Sequence, residues 1–472
     1  MAGIGFELKK LFEKRGGINK LRATFYSGVV IAGPMLMGAV LLFGQKYLSI
    51  RFGASSHEQD LIIVITTYSL LFPLLLTSLF SYTISRYIAD KLYIKDYSSI
   101  LNSMYGLILP LLCVGSVGWT IFIYLSELPL LHGILSFILF CSAIMVWVQI
   151  TYITAIKYYK DILIGFFIGI FSGLLVGACL FLFAHVEIVS AFLAAACFAY
   201  GIMLTIYTLV LHKHFPLGNK PSFEFFKWVK KYPSLSLVGF FTTLGLFIHL
   251  MLMWKSPWGA QVIGLFYHAP MHDIPAFFAF LSILVTTVNF VTSVEVNFYP
   301  KYRLYFGLIN NGGSLVDINK AYDEMLIVLK QEMFYLALRQ MFITIIAIII
   351  GSEIISNLGF GFTNEMIGLF RVLCLGYAFY AIGNSIMLVL LYFVDFKGAV
   401  FCGFSLLLVN TLVTRYTITL SSNYYGFGLL AAGLMMCLVA LSRLTYYTAY
   451  LDYYIFCRQP IFTREKQIKE NR

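Results

Sequence analysis

Long apolar runs separated by short polar segments are the feature that most limits what this chain can fold into. A helix needs about 20 consecutive apolar residues to cross the hydrocarbon core of a bilayer. Runs of that length occur at 24–47, 61–84, 104–125, 131–154, 162–184, 190–211, 235–253, 274–294, 333–352, 366–391, 399–419 and 425–447. Because only 12% of the residues are charged, against about 25% in soluble domains, the sequence predicts an all-α polytopic membrane protein with 12 transmembrane helices.

The basic residues indicate how such a chain would be oriented. If the N-terminus is cytoplasmic, only Lys46, Arg51, Lys255 and Arg415 fall on the outer side of the membrane. Two of the 33 Lys and Arg lie within spans, so the other 27 are cytoplasmic. This asymmetry follows the positive-inside rule and predicts that both termini are cytoplasmic. It also accounts for the net charge of +11 without a nucleic-acid partner.

The first 23 residues are basic and amphipathic. Ile4, Leu8, Leu11 and Phe12 share one helical face, opposite three lysines. A cleaved signal peptide has a shorter apolar region than the run that follows here. We therefore predict a permanent helix at the cytoplasmic membrane surface, with a solvated basic tail as the alternative.

The spans divide into two similar halves. We predict an N-terminal helix at 1–23, an N-lobe of six helices at 24–211, a basic cytoplasmic linker at 212–234, a six-helix C-lobe at 235–450 and a cytoplasmic tail at 451–472. Each half has a longer polar link between its second and third spans. Such internal repetition is typical of transporters, whose substrate path lies between the repeats.

Ionisable residues inside spans are costly and are therefore candidates for the substrate path. Arg371 lies one to two turns inside the tenth span, and His249 lies in the seventh. Arg371 could face a water-filled cavity, or it could reach the membrane surface and pair with Glu365. His249 could equally be a buried histidine whose nitrogens are satisfied by neighbours.

Three further residues of the tenth span complete the predicted substrate path. They are Tyr377, Tyr380 and Asn384. Tyrosine combines an apolar ring face with a hydroxyl, and sugar rings present apolar faces with polar edges. A path lined in this way would suit a carbohydrate.

Helix-perturbing residues suggest packing and gating positions. Pro34 in the first span could bend that helix during opening, although an ordinary kink is the alternative. In the fifth span Gly165, Gly169, Gly173 and Gly177 recur every fourth residue and so form one stripe. A stripe of small residues lets a second helix backbone approach closely.

Charged residues at the cytoplasmic edge are candidates for partner contacts. We place Arg86, Asp90, Lys91 and Arg303 in this group. The eight cysteines are scattered singly, and no His/Cys cluster has metal-ligand spacing. We therefore expect no catalytic residue, no metal, no cofactor and no disulfide framework.

Three segments carry a resemblance to a known family. "MAGIGFELKKL", "SGVVIAGPMLMG" and "DYYIFCRQPIF" are similar to the PelG family, the integral-membrane component of Pel exopolysaccharide export, in the multidrug/oligosaccharidyl-lipid/polysaccharide (MOP) superfamily. The resemblance implies two six-helix lobes around a central cavity and export of an N-acetylated aminosugar polymer across the bacterial cytoplasmic (inner) membrane. It also implies a cytoplasmic glycosyltransferase and membrane subunits that include a cyclic di-GMP receptor as partners.

Three other functions would each require particular residues in the membrane. A flippase for a lipid-pyrophosphate-linked oligosaccharide would need cationic groups in the path, and Arg371 is the deepest candidate. A drug/cation antiporter would need an acidic residue within the membrane, and the span interiors of the N-lobe contain no Asp or Glu. A membrane-embedded enzyme could pair His249 with Asn289. We predict a polysaccharide transporter and not an enzyme.

Overall fold

The computed structural model describes residues 38–156, 159–216, 221–357 and 362–457, and within these ranges the chain is almost entirely helical. The first half contains α1 (38–51), α2 (Ser56–Tyr93), α3 (Ser98–Leu125), α4 (Leu130–Ala155), α5 (Tyr159–Leu182) and α6 (Ile188–His214). A short linker helix, α7 (Phe226–Lys231), follows. The second half begins with α8 (Pro233–Met253) and an antiparallel hairpin of β1 (Ala260–Ile263) and β2 (Phe266–His268).

The rest of the second half consists of helices, four of which border π-helical turns. The helices are α9 (Pro270–Leu281), α10 (Leu284–Val291), α11 (Tyr299–Asn310), α12 (Leu315–Ile346), α13 (Ser352–Asn357), α14 (Asn364–Tyr392), α15 (Phe396–Ile418) and α16 (Phe427–Ala449). A π-helical turn, Thr292–Phe298, joins α10 to α11, and another, Ala347–Gly351, joins α12 to α13.

Eleven helical segments of the described chain are long and apolar enough to cross a membrane. Each overlaps one of the predicted runs from the second to the twelfth. The first run, 24–47, is described only from residue 38. Pro34, the amphipathic segment 1–23 and the tail beyond residue 457 lie outside the described residues. The all-helical membrane architecture is confirmed, whereas the exact number of 12 spans and the orientation stay predictions.

The polar links expected after the second span of each half are largely helical. Helix α2 continues to Tyr93, so only 94–97 separate it from α3. In the second half α11 and the start of α12 form the same kind of helical extension, with a turn at 311–314 between them. Local caps explain the turn, because Ser314 accepts a hydrogen bond from the Asp317 amide and so begins α12.

Each lobe is held together by close helix pairs. In the N-lobe α5 packs on α6, α6 on α4 and α4 on α2. In the C-lobe α14 packs on α16, α16 on α15 and α15 on α8. The backbones come close enough that a Cβ added at Gly433 would lie 2.5 Å from the carbonyl oxygen of Gly376. Small residues therefore set the helix spacing in the C-lobe, as expected where hydrocarbon surrounds the helices.

The glycine stripe of α5 faces α6. A Cβ at Gly169 would lie 2.7 Å from the carbonyl oxygen of Ala199, and one at Gly173 would lie 2.6 Å from that of Ala195. At the two ends of the stripe, Gly165 would contact Tyr207 and Gly177 would contact the Ala195 side chain. The stripe is thus filled by α6 along its whole length.

Candidate transport path between the lobes

A hairpin from the C-lobe joins the two lobes at one end of the molecule. The Tyr68 hydroxyl of α2 donates a hydrogen bond to the Tyr267 carbonyl at 2.9 Å and accepts one from the Tyr267 amide at 3.2 Å. Phe266 is fully buried, with its ring centroid 5.1 Å from that of Phe122. Gly264 has φ +50°, and a Cβ there would collide with the Ser126 backbone. The hairpin is therefore fitted tightly onto the N-lobe.

The clusters of buried apolar side chains show where the apolar core continues from one lobe into the other. One cluster runs from the N-lobe through the hairpin into the adjoining half of the C-lobe, where it includes Phe370 and Tyr425. A separate cluster fills the other half of the C-lobe and includes Phe298 and Met387. The seam between the lobes thus lies at the end away from the hairpin. Helices α2 and α8 cross it there through a 2.9 Å hydrogen bond between the Thr83 and Ser236 hydroxyls.

Partly exposed polar and aromatic side chains line this seam. Tyr380 packs against both apolar clusters, and Tyr82 of α2 packs against the C-lobe cluster. With 3.6 residues per turn, Tyr377, Tyr380 and Asn384 fall within roughly 60° of one another on α14. Tyr377 is buried, whereas Tyr380 and Asn384 are partly exposed. The structure therefore brings these three predicted residues onto one face.

Arg371 lies on a different face of the same helix. Nine residues separate it from Tyr380, which corresponds to roughly 180° around the helix axis. Its side chain is exposed, and its Nε donates a hydrogen bond to the Ser352 hydroxyl of α13 at 3.2 Å. The guanidinium is directed towards α13 and away from the face that carries Tyr380.

His249 belongs to a buried polar chain that crosses three helices. Its Nδ1 is 3.4 Å from Nε2 of His272 on α9, and its Nε2 is 3.3 Å from the Tyr377 hydroxyl. His272 Nδ1 is 3.5 Å from Oδ1 of Asp273. The other carboxylate oxygen of Asp273 accepts hydrogen bonds from the Trp254 indole at 3.0 Å and from the Ala269 amide at 3.1 Å. We call these four residues, Asp273, His272, His249 and Tyr377, the histidine chain.

Two members of the histidine chain, His249 and Tyr377, are among the residues predicted from the sequence, whereas His272 and Asp273 are not. The available signal was the segment "PMHDIP", which places His and Asp side by side at the start of a span. Within the described residues no group of three His, Cys, Asp or Glu side chains is arranged to hold a metal ion. The histidine chain is therefore a hydrogen-bonding arrangement.

The charged residues at the far end of α2 contact the linker between the lobes. Lys91 is buried, and its Nζ lies 2.8 Å from both Asp96 Oδ2 and Glu224 Oε2. Asp90 accepts a 2.8 Å hydrogen bond from the Trp228 indole. Lys91, together with the Ser99 and Ser98 hydroxyls, holds the pKa of Asp96 well below its usual range. These contacts fasten the linker to the N-lobe.

The remaining edge residues are more exposed. Arg86 pairs with Asp90 at 3.1 Å and lies near Tyr302 of α11. Burial raises the pKa of Tyr302 to about 12, and Arg86 opposes that rise. Tyr302 therefore stays protonated and donates a 3.0 Å hydrogen bond to the Tyr392 carbonyl. Arg303, also on α11, is exposed.

A charged pair in the C-lobe, Arg443 with Asp395, was not among the residues predicted from the sequence. Arg443 of α16 makes a two-point contact with Asp395, with Nε–Oδ2 at 2.6 Å and Nη2–Oδ1 at 3.0 Å. The guanidinium also lies over the rings of Tyr446, Tyr447 and Tyr454. Asp395 follows α14 and caps α15. The pair therefore fixes the junction of three C-lobe elements.

Comparison with known proteins identifies the family and the fold. The family model PelG, described as an exopolysaccharide exporter (EPS-E), matches residues 1–456. No curated protein sequence matches the chain at a significant level.

Solved structures of MOP superfamily transporters share the fold. A multidrug resistance MATE family transporter in an outward-facing conformation has a TM-score of 0.62 at 11% identity, covering 90% of this chain and 96% of the other. A MATE protein in a bent conformation has a TM-score of 0.63 at 11% identity, covering 96% and 99%. A MOP superfamily transporter from Pyrococcus furiosus, described as having a binding pocket of reversed polarity, has a TM-score of 0.57 at 10% identity, covering 91% and 96%. Family and fold are both those of transporters.

Proposed function

Because the chain belongs to the PelG family of exopolysaccharide exporters, we propose that it moves a Pel-type polymer, rich in N-acetylated aminosugars, out of the bacterial cytoplasm through the inner membrane. The observation that carries this proposal is the family match over residues 1–456, which covers both lobes. In this proposal the protein is the membrane-transport subunit of a synthase-dependent complex and performs no chemical step itself.

The seam between the lobes supports a neutral carbohydrate as the cargo. Tyr82, Tyr380 and Asn384 offer ring faces, hydroxyls and an amide, which together complement the apolar faces and polar edges of sugar rings. Arg371 lies on the opposite face of α14 from Tyr380, so it takes no part in this surface. We propose that the polymer is held by stacking and hydrogen bonds along this face.

A lipid-pyrophosphate-linked oligosaccharide is the second candidate cargo, and one observation favours it. Arg86 is exposed and lies near Tyr302, at the end of the seam away from the hairpin. A cation at that position could meet a pyrophosphate as it enters. Arg86 is, however, already paired with Asp90, which reduces its attraction for a second anion.

We further propose that both termini and the helical extension formed by α11 and the start of α12 are cytoplasmic. Exposed Leu315 and Val316 lie at the tip of this extension, and α11 of the same extension carries the exposed Arg303. Such a mixed apolar and basic surface could receive the cytoplasmic glycosyltransferase or the cyclic di-GMP receptor subunit. Arg86, Asp90 and Lys91 would then act mainly by holding the linker.

The cargo proposal is tested with substitutions on the two faces of α14. Tyr380→Ala removes a stacking surface and is expected to lower exported polymer per molecule by roughly fivefold, the scale of about 1 kcal/mol for one aromatic contact. Tyr380→Phe keeps the ring and should retain most of the export. Arg371→Gln, on the opposite face, is the matched control and should export as the wild type does.

Protein level and extracellular polymer are measured separately in cells that carry the rest of the export machinery. Loss of export with Arg371→Gln or Arg86→Gln, in a stably inserted protein, together with normal export by Tyr380→Ala, would favour the pyrophosphate-linked cargo. Normal export in cells that lack this protein altogether would refute the transport function itself.

A further inference from the structure

The hydrogen-bond directions in the histidine chain follow from its fixed end. The Asp273 carboxylate is held in place by two donors, the Trp254 indole and the Ala269 amide. Its free oxygen faces His272 Nδ1, so that nitrogen carries the hydrogen and His272 Nε2 is an acceptor. His249 must then donate through Nδ1 and accept at Nε2 from the Tyr377 hydroxyl. With these tautomers, every ring nitrogen has a partner while both rings stay neutral.

The same arrangement can accept and pass on one proton. If the Tyr377 oxygen receives a proton, its own hydroxyl hydrogen can move to His249 Nε2. His249 then releases its Nδ1 hydrogen to His272 Nε2, and His272 releases its Nδ1 hydrogen to Asp273. Each transfer breaks one O–H or N–H bond and forms another, so one proton crosses from the seam side to Asp273. The reverse sequence carries a proton the other way, from the hairpin end to the seam.

The two ends of the histidine chain meet the two regions that a transport cycle would open. On α14 Tyr377 lies within about 60° of Tyr380, which faces the seam. At the other end, Asp273 lies at the foot of the hairpin, close to His268, which is 3.8 Å from Asp60 of α2. In a cycle that opens one end at a time, the two ends of the histidine chain would be reached from opposite sides of the membrane.

Other titratable groups face the histidine chain from the elements around it. Helix α14 contributes Tyr380 and Cys374, β2 contributes His268 and α2 contributes Asp60. Lys46 of α1 acts on His268, and Tyr68 of α2 lies near Asp273. Asp273 is the acid in direct contact with the histidines, so it is the counter-charge for a proton bound there.

A proton bound to the histidine chain would affect the contact between the hairpin and the N-lobe. Residues 254–269, which include the hairpin, connect α8 to α9. His249 lies on α8, and His272 lies on α9. The Trp254 and Ala269 bonds to Asp273 fasten the foot of the hairpin. A proton bound by His249 or His272 changes the charge next to Asp273. It also creates a charged imidazole in a buried site, which is unfavourable unless the site opens or gains water.

We propose that His249 and His272 form a proton-binding site, balanced by Asp273, through which the protein couples polymer export to the transmembrane proton gradient. This inference rests on the proposed transport function, and it adds the energy source. Proton binding favours release of the hairpin from the N-lobe, and proton loss restores the closed arrangement.

The first measurement concerns the purified protein without cargo. Proton uptake per molecule is recorded by titration between pH 8 and pH 5, the range in which histidine ordinarily titrates. The wild type should bind one more proton than the His249→Gln/His272→Gln double variant. His132→Gln is the matched control for the export measurement, because His132 is also buried and also pairs with an acid, Glu187, but lies in the N-lobe. Equal uptake by the wild type and the double variant would overturn the proton site.

The second measurement is export per molecule in cells, at external pH values across the same range. His249→Gln, His272→Gln and Asp273→Asn should each lose nearly all export and the dependence on external pH, whereas His132→Gln should keep both. Normal export with an unchanged pH profile in the first three variants would refute coupling through these residues and leave the transport function standing. Absence of export by the wild type would refute the transport function, whatever the titration shows.

Discussion

At Lys91 a single residue shows how the environment sets the role of a charge. The residue lies at the end of α2 away from the hairpin, and its side chain is buried between Asp96 and Glu224. Glu224 belongs to the linker between the lobes, so its ion pair with Lys91 holds the linker against α2. A buried ammonium is tolerated only because two carboxylates face it.

Asp96 gives this pairing a measurable dependence on pH. Its pKa is lowered in the folded protein, so the stability it contributes is fully present above its unfolded pKa of about 3.9 and is lost as the pH falls through the lower folded pKa. We expect Asp96→Asn to lower the free energy of unfolding by about 1 kcal/mol. The difference between variant and wild type should be constant from neutral pH down to about 5 and shrink below about 4.

The measurement is the thermal unfolding temperature of the purified protein at each pH. Ser98→Ala, which removes a weaker hydroxyl donor to the same carboxylate, is the control and should have a smaller effect. A difference that grows on acidification would contradict the assigned sign.

At the scale of elements, helix pairs are fixed by small residues in both lobes. The stripe on α5 meets α6, and Gly376 and Gly383 of α14 meet α16. Without water between helices in the membrane, close van der Waals contact is the main source of their attraction. The hairpin is the exception, because aromatic rings and backbone hydrogen bonds hold it to the N-lobe.

Gly173 is the position at which the stripe can be tested. In Gly173→Leu the new side chain would meet the Ala195 carbonyl and the Ala199 side chain, forcing α5 and α6 apart. We expect a loss of about 1–3 kcal/mol, as is usual for overpacking, and hence a lower unfolding temperature. Gly201→Leu on α6 is the matched control, because a Cβ there meets nothing within 4 Å. Equal stability of the two variants would show that this helix pair tolerates separation.

At the scale of the whole molecule, the two lobes are joined unequally at their two ends. The apolar core is continuous across the hairpin end and divided at the other end. At the divided end the lobes meet through α2 and α8, so opening there has to separate these two helices. This asymmetry suits a transporter that opens towards one side at a time.

The orientation is tested by cysteine labelling. In a protein whose eight native cysteines are replaced, Ser314→Cys in the turn between α11 and α12 should react with a membrane-impermeant reagent only after the cells are permeabilised. Ser56→Cys, at the start of α2 on the opposite side, should react in intact cells. The reverse pattern would invert the proposed topology, and both sites reacting in intact cells would change the number of spans between them.

The sequence by itself determined the membrane class, the helical segments long enough to cross a membrane and the family. These properties depend on residues that are neighbours in the chain, because hydrophobic length decides whether a segment enters the bilayer. The glycine stripe was also visible, since it repeats every fourth residue on one helix. The helix that packs against the stripe could not be read from the sequence, because α6 is a separate element.

Only the tertiary structure decided which side chains meet across elements. His249 and His272 are 23 residues apart and come into contact because α8 and α9 fold back around the hairpin. Trp228 reaches Asp90 over a separation of 138 residues. The direction of Arg371 depends on how α14 is rotated about its axis, and that rotation is set by packing against α16 and α9. Hydropathy places a helix in the membrane but leaves its rotation free, so the contents of the path are fixed only when the helices pack.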